Sequence, residues 1–183
     1  MCSAGFSREP PADGVEAYVA LGSNLGDRGA HLAAALAALR ADPRIRVEAV
    51  SAVYETDPVG PPPQGPYLNA VARLRTRLAP RALLARLLEI EAARGRRRGE
   101  RWSARSLDLD LLFYGACTIQ EPGLRVPHPR LHERAFVLEP LCELAPGLVH
   151  PELGRSIEEL AARVRDPRAV QRREEAMAWP SPP

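Results

Sequence analysis

The ten residues Tyr67-Leu68-Asn69-Ala70-Val71-Ala72-Arg73-Leu74-Arg75-Thr76 alternate with a period of two. Such alternation predicts a strand with Leu68, Ala70, Ala72 and Leu74 toward a core, and Tyr67, Asn69, Val71 and Arg73 facing the other way. Just upstream, Ile45 to Thr56 alternates too, with Ile45, Val47, Ala49 and Val53 on one side. The stretch between them, Pro58-Val59-Gly60-Pro61-Pro62-Pro63-Gln64-Gly65-Pro66, suits neither a helix nor an inner strand. Two consecutive strands joined by a loop long enough to cover something are therefore expected at the centre of the chain.

Helical patterns flank this pair. On the N-terminal side a short strand, Glu16 to Leu21, runs into the turn Gly22-Ser23-Asn24-Leu25-Gly26-Asp27. A helix follows, with Leu32, Leu36 and Leu39 on one face, and Asp42-Pro43 ends it. On the C-terminal side Pro80 suits the first position of a second helix, whose Leu84, Leu87, Leu88 and Glu91 keep helical spacing up to Gly95. Leu107 to Tyr114 reads as another strand. The order strand, helix, strand, strand, helix, strand predicts an α+β fold, the ferredoxin-like split βαβ arrangement. Its sheet is antiparallel, its helices pack on one face, and the opposite face is free to carry a site. Beyond it, helices are expected at Phe136 to Leu144 and Ser156 to Val164. The expected organisation is a flexible tail at 1–14, a single domain at 15–165 and a second flexible tail at 166–183.

Composition narrows the function classes. The chain has 183 residues and a formal net charge of +2, so no global field draws it to nucleic acid or to a membrane. All 25 basic residues are arginine, and any cationic contact to a phosphate must come from a guanidinium. Without lysine there can be no Walker-A loop and no protein-kinase strand lysine; the turn at Gly22 also lacks the Gly-x-Gly-x-x-Gly of dinucleotide sites. Cys2, Cys117 and Cys142 show no motif spacing, and no secretory or membrane-spanning pattern is present, which predicts a reduced, cytoplasmic protein. His128 and His132 are four apart, but Pro127 and Pro129 spoil the helix a zinc-binding pair would need.

The chemistry concentrates between Gly95 and Asp110. Asp108 and Asp110 alternate with Leu107, Leu109 and Leu111, so both carboxylates share one strand face, roughly 6–7 Å apart at their bases. A polar outer face would look the same, yet aspartate is a poor strand former. Two carboxylates so placed can hold hard cations, and paired magnesium ions suit phosphoryl chemistry. Immediately before them, Gly95-Arg96-Arg97-Arg98-Gly99-Glu100-Arg101-Trp102-Ser103-Ala104-Arg105 carries five arginines within ten residues. Guanidinium groups stabilise charge that develops on a transferring phosphoryl group. An RNA-binding patch would call for more net positive charge and interleaved aromatics, whereas Trp102 is the only aromatic in the stretch.

Assembled in order, these segments resemble the 6-hydroxymethyl-7,8-dihydropterin pyrophosphokinases of folate biosynthesis. The resemblance runs from Ala17 to about Pro151. Its segments are Ala17-Tyr-Val-Ala-Leu-Gly-Ser-Asn-Leu-Gly-Asp, Tyr54-Glu-Thr-Asp-Pro-Val-Gly-Pro, Tyr67-Leu-Asn-Ala, the Gly95 to Asp110 stretch and Val126-Pro-His-Pro-Arg-Leu-His-Glu-Arg-Ala-Phe-Val-Leu. It implies transfer of the pyrophosphoryl unit of ATP to a pterin hydroxymethyl group, with AMP released. It further implies Asp108 and Asp110 as ligands of two magnesium ions bound with ATP, and Arg96 and Arg105 as the catalytic guanidiniums. Arg98, Arg101, His128 and Arg134 fall at ATP-binding positions. Thr56, Pro58, Val59, Tyr67, Asn69, Trp102 and Phe136 fall at pterin-binding ones, Tyr67 and Phe136 as walls of a stacked sandwich. No nucleic acid, membrane or obligate protein partner is implied. Ser103-Ala104 replaces the family's usual Gly-Pro before Arg105, and loop length varies there, so roles among Arg96, Arg97 and Arg98 are interchangeable. A catalytically impaired nucleotide-binding relative is the alternative reading.

Overall fold

The computed structural model describes residues 10–57, 65–95, 105–164 and 170–173. In chain order its elements are β1 (Val15–Ser23), α1 (Arg28–Arg40), β2 (Ile45–Val50), β3 (Tyr54–Thr56), β4 (Tyr67–Thr76), α2 (Pro80–Ala93) and β5 (Asp108–Tyr114). There follow the hairpin β6 (Ile119–Glu121) and β7 (Leu124–Val126), a 3-10 turn at Leu131–Glu133, and α3 (Ala135–Leu144). The last are β8 (Val149–His150), β9 (Arg155–Ser156), α4 (Ile157–Val164) and β10 (Val170–Arg172).

The principal sheet runs β10-β3-β4-β1-β5, with β2 also pairing β4, and all its pairings are antiparallel. The α+β, ferredoxin-like order expected from the sequence is the one observed. The predicted strand Ile45–Thr56 divides in two because Ser51 breaks the regular ladder without leaving β4. Its N–H donates to the Val71 carbonyl at 2.9 Å, and its hydroxyl accepts the Val71 N–H at 3.0 Å.

Local rules account for the helix starts. Asp27 caps α1 by accepting the Ala30 N–H at 2.9 Å, and Gly26 before it takes φ +62°, a conformation open to glycine. Pro80 occupies the first turn of α2, where its missing N–H costs nothing. On α2 the buried stripe is Leu83, Leu87, Ile90 and Glu91 rather than the expected Leu84, Leu87, Leu88 and Glu91; Leu88 is exposed.

One face of the sheet carries the main core. Leu32, Leu36 and Leu39 of α1 and Leu83, Leu87 and Ile90 of α2 pack on Ala17, Val19, Leu21, Leu74, Leu109 and Leu111. The expectation that helices lie on one face needs correction for α3 and α4. Their Val137, Leu138, Leu141, Ile157 and Leu160 pack on Tyr18, Val71, Leu112 and Phe113 on the opposite face. The cause is a register shift between Tyr18 and Val19, which pair Phe113 and Leu111, so Leu112 is the extra residue of a bulge. Leu112 and Phe113 then both reach the second face and give it an apolar patch that a helix must cover. Only the part of that face beyond the patch is left for a site.

The C-terminal tail expectation also changes, since Val170–Arg172 pairs with β3 as the edge strand. The arginine-rich segment has no alternating apolar residues to announce this; its pairing comes from the backbone of β3.

Candidate active site

The uncovered part of the second face holds a hollow of about 400 Å³. Its floor is the end of β1. Ala20 pairs Asp110 and Gly22 pairs Asp108 on β5, while across β4 Gly22 pairs Asn69. A Cβ at Gly22 would stand 3.3 Å from Asn69 Oδ1 and 3.9 Å from Asp108 Cβ, so the missing side chain lets the amide and the acidic strand approach one another.

On the β5 side both carboxylates face the hollow, at 25% and 35% side-chain exposure for Asp108 and Asp110. Arg105 Nη1 donates to both oxygens of Asp108, at 3.0 and 2.9 Å. Asp110 Oδ2 lies 3.6 Å from Arg134 Nη1 and 3.8 Å from His128 Nε2, electrostatic partners beyond hydrogen-bond range. Burial lowers the His128 pKa, opposed by Asp110 and aided by Arg134. Nδ1 of His128 accepts the Arg130 N–H at 3.3 Å, so the neutral ring carries its proton on Nε2, toward Asp110.

The other side comes from β3, β4 and α3. Asn69 and Thr56 are buried, and Asn69 Nδ2 donates to Thr56 Oγ1 at 2.8 Å, which fixes the amide's orientation. Tyr67 pairs Thr56 across the strands and shares Asn69's face. Burial raises the Tyr67 pKa, while Arg105 lowers it and Asp108 raises it, so this ring lies within the field of the acidic side. Phe136 stands at the start of α3, with the Arg134 guanidinium carbon 5.7 Å from its ring centroid.

Thus Thr56, Tyr67, Asn69, Arg105, Asp108, Asp110, His128, Arg134 and Phe136 all line one hollow. Pro58, Val59, Arg96, Arg98, Arg101 and Trp102 lie outside the described residues, as does Ser103-Ala104.

Two groups of residues whose role is not evident from the sequence hold this geometry. Asn24 grips the backbone of Arg105 twice: its Oδ1 accepts the Arg105 N–H at 2.7 Å and its N–H donates to the Arg105 carbonyl at 3.1 Å. Ser23 Oγ adds a bond to the Ser106 carbonyl at 2.6 Å. The polar residues inside the glycine turn were the available signal. Glu91, 1% exposed, reaches from α2 to accept the Leu109 N–H at 2.6 Å, fixing β5 between its two aspartates. A carboxylate at helical spacing among leucines was the signal there.

The donor set suits magnesium. Among the described residues no group of three or more His, Cys, Asp or Glu side chains could hold a metal by itself. Magnesium is commonly bound through one or two carboxylates, with water and substrate phosphates completing its octahedron, and Asp108 and Asp110 offer that pair.

Comparison with known proteins adds to this geometry. The family model described as 7,8-dihydro-6-hydroxymethylpterin-pyrophosphokinase (HPPK) matches residues 18–146. A Pseudomonas aeruginosa protein named 2-amino-4-hydroxy-6-hydroxymethyldihydropteridine pyrophosphokinase is 48% identical over 145 residues, 79% of this chain and 89% of its own length. Proteins of the same name from Methylorubrum extorquens and Bacillus subtilis are both 46% identical. The former covers 85% of this chain and 97% of its own length, the latter 70% and 77%. Among solved structures, an HPPK-DHPS chain in complex with substrates superposes with a TM-score of 0.68 at 13% identity, over 88% of this chain and 47% of that one. A Plasmodium falciparum HPPK-DHPS variant with SDX-DHP gives 0.67 at 16%, over 91% and 50%. At such identity the likeness concerns fold alone, and this chain spans about half the length of those chains.

Proposed function

The chain belongs to the 7,8-dihydro-6-hydroxymethylpterin-pyrophosphokinase family, and we propose that its hollow is divided into a nucleotide half on β5 and a pterin half on β3, β4 and α3. The reaction is transfer of the pyrophosphoryl unit of ATP to the hydroxymethyl group of 6-hydroxymethyl-7,8-dihydropterin, with AMP as leaving group, in folate biosynthesis. The family match and the relatives at 41–48% identity support an active enzyme over an impaired nucleotide-binding relative.

The observation that carries the division is the convergence on one hollow of a carboxylate pair and a buried amide–hydroxyl pair, separated by Gly22. On the nucleotide half, Asp108 and Asp110 would hold two magnesium ions with ATP. When bound, the metal would neutralise phosphate charge and orient the phosphates of ATP for in-line displacement. Arg105 now satisfies Asp108; on nucleotide binding its guanidinium exchanges that carboxylate for phosphate oxygens, while Asn24 keeps its backbone in place. Arg134 and the neutral Nε2–H of His128 add donors at the Asp110 end. Arg96, Arg98 and Arg101 belong to the same half by family resemblance.

On the pterin half, Tyr67 and Phe136 stack the flat heterocycle, and the oriented Asn69 and Thr56 read its donor–acceptor edge. Pro58, Val59 and Trp102 are assigned here by the same resemblance. The alcohol attacks the β-phosphorus directly. A loose transition state puts little demand on a base, and none of these side chains is assigned that role. The cytoplasm is the expected setting, and the free thiols of Cys117 and Cys142 are in keeping with it.

The deciding experiment incubates the protein with ATP, a magnesium salt and 6-hydroxymethyl-7,8-dihydropterin and separates the nucleotides. AMP formed in step with pterin consumption is expected. ADP as product would sink pyrophosphoryl transfer, and unchanged ATP would favour a binding protein without turnover.

A further inference from the structure

Strand β3 has only three residues, yet it is held from every side. Val170, Gln171 and Arg172 of β10 pair with Thr56, Glu55 and Tyr54, and the Arg173 N–H donates to the Val53 carbonyl at 2.9 Å. Glu55 bridges two arginines, Arg28 Nη1 at 2.8 Å and Arg173 Nη2 at 2.9 Å. The same Arg28 nitrogen donates to the Pro66 carbonyl at 2.7 Å, so one guanidinium ties β3 to the approach of β4. From α3, Glu143 accepts the Ala52 N–H at 3.1 Å and the Tyr54 hydroxyl at 3.2 Å, and meets Arg172 Nη2 at 3.5 Å.

These ties converge on Thr56. It pairs Tyr67 on one edge and Val170 on the other, and its hydroxyl takes the Asn69 amide. Left as the outer strand, β3 would expose a row of backbone groups and open locally at low cost. With β10 added it becomes an inner strand. Arg172 and Arg173 are 65% and 46% exposed, so their ion pairs add little to global stability. What they define is local: the seat of β3 between β4 and the helix that carries Phe136. No side chain of β10 lines the hollow.

We propose that residues 170–173 are a positioning element for the pterin half of the site, acting through β3 and the shared Glu55 carboxylate to keep Thr56 in register with Tyr67 and Asn69. This rests on the assignment of that half to the pterin. It concerns a segment beyond residues 18–146 that match the family.

The test compares steady-state kinetics and direct pterin binding, by pterin fluorescence, for the full chain and three variants. Gln171→Pro removes a ladder donor and constrains φ, Arg173→Ala removes one arm on Glu55, and Arg173→Lys restores a charge there. The expected result is a pterin KM and Kd raised about tenfold in Gln171→Pro and about threefold in Arg173→Ala, with ATP KM and kcat within about twofold. Arg173→Lys should recover most of the loss. An unmoved pterin KM, or an equal rise for ATP, overturns the proposal. If Gln171→Pro does not fold, exposed Arg173→Ala decides alone by the same readouts. A wild-type chain that forms no AMP would instead overturn the function from which the proposal starts.

Discussion

Asp108 and Asp110 stand two residues apart on one strand, whereas Thr56, Tyr67, Asn69 and Phe136 come from two further strands and a helix. The charged half is partly exposed, and its arginines balance charge at the surface of the hollow. In the half assigned to the pterin, Asn69 and Thr56 are buried and hydrogen-bonded to each other, while Tyr67 and Phe136 are half-buried. Charges that keep some water can be removed without penalising the fold. Buried polar groups that depend on each other cannot. The two halves should therefore fail differently when damaged.

The largest effect is expected on the charged half. Asp108→Ala or Asp110→Ala should lower turnover about 10³-fold, or about 4 kcal/mol of transition-state stabilisation, with the thermal unfolding midpoint hardly moved. A large loss of midpoint would break the contrast between the halves. Next comes the support behind that strand. Glu91→Ala strands the buried Leu109 N–H and should cost about 2–3 kcal/mol in denaturant unfolding, while Glu91→Gln, which keeps an acceptor, should cost clearly less. Equal losses would mean that the backbone bond is not what Glu91 supplies.

Asn69→Ala tests the pterin half. It should raise pterin KM at least about tenfold and also lower stability by about 1–2 kcal/mol, because Thr56 loses its partner. An effect on KM alone would show that the buried pair does not support the fold. Gly22→Ala sharpens the boundary: its Cβ would crowd Asn69 Oδ1 at 3.3 Å but meet Asp108 at an ordinary 3.9 Å. A few-fold rise in pterin KM with ATP KM unchanged is expected, about 1 kcal/mol or less.

The smallest effect lies outside both halves. His150 is buried against Phe113 and His132, and burial pulls its pKa below the ordinary value, opposed by Glu152 and aided by His132. The unfolded chain then takes up the proton first as pH falls. Stability from this site is complete above about pH 6.5 and declines as pH drops from there toward the folded pKa. Unfolding midpoints between pH 8 and pH 5.5 should fall on the acid side, and His150→Gln should flatten that fall. An unchanged slope would assign the acid sensitivity elsewhere.

Much of this was legible in residue order. Alternation located β4 and β5, leucine spacing located α1, and the carboxylate pair announced its own strand face, because each is a local pattern with a fixed period. Less legible were α3 and α4 on the second face, which depend on a one-residue bulge at Leu112. The grip of Asn24 on Arg105 and the reach of Glu91 to Leu109 join residues far apart in the chain. Their signals, polar residues in a glycine turn and a carboxylate in an apolar stripe, were visible but did not name a partner.

The sequence alone determined the α+β order, the acidic strand and the kind of chemistry, since backbone periodicity and side-chain charge are properties of neighbouring residues. Tertiary structure decided that Gly22 brings Asn69 and Asp108 to one hollow, that helices take both faces of the sheet, and that residues 170–173 complete its edge. Those outcomes depend on strand register and on which buried polar groups find each other, and both are settled only when distant segments pack.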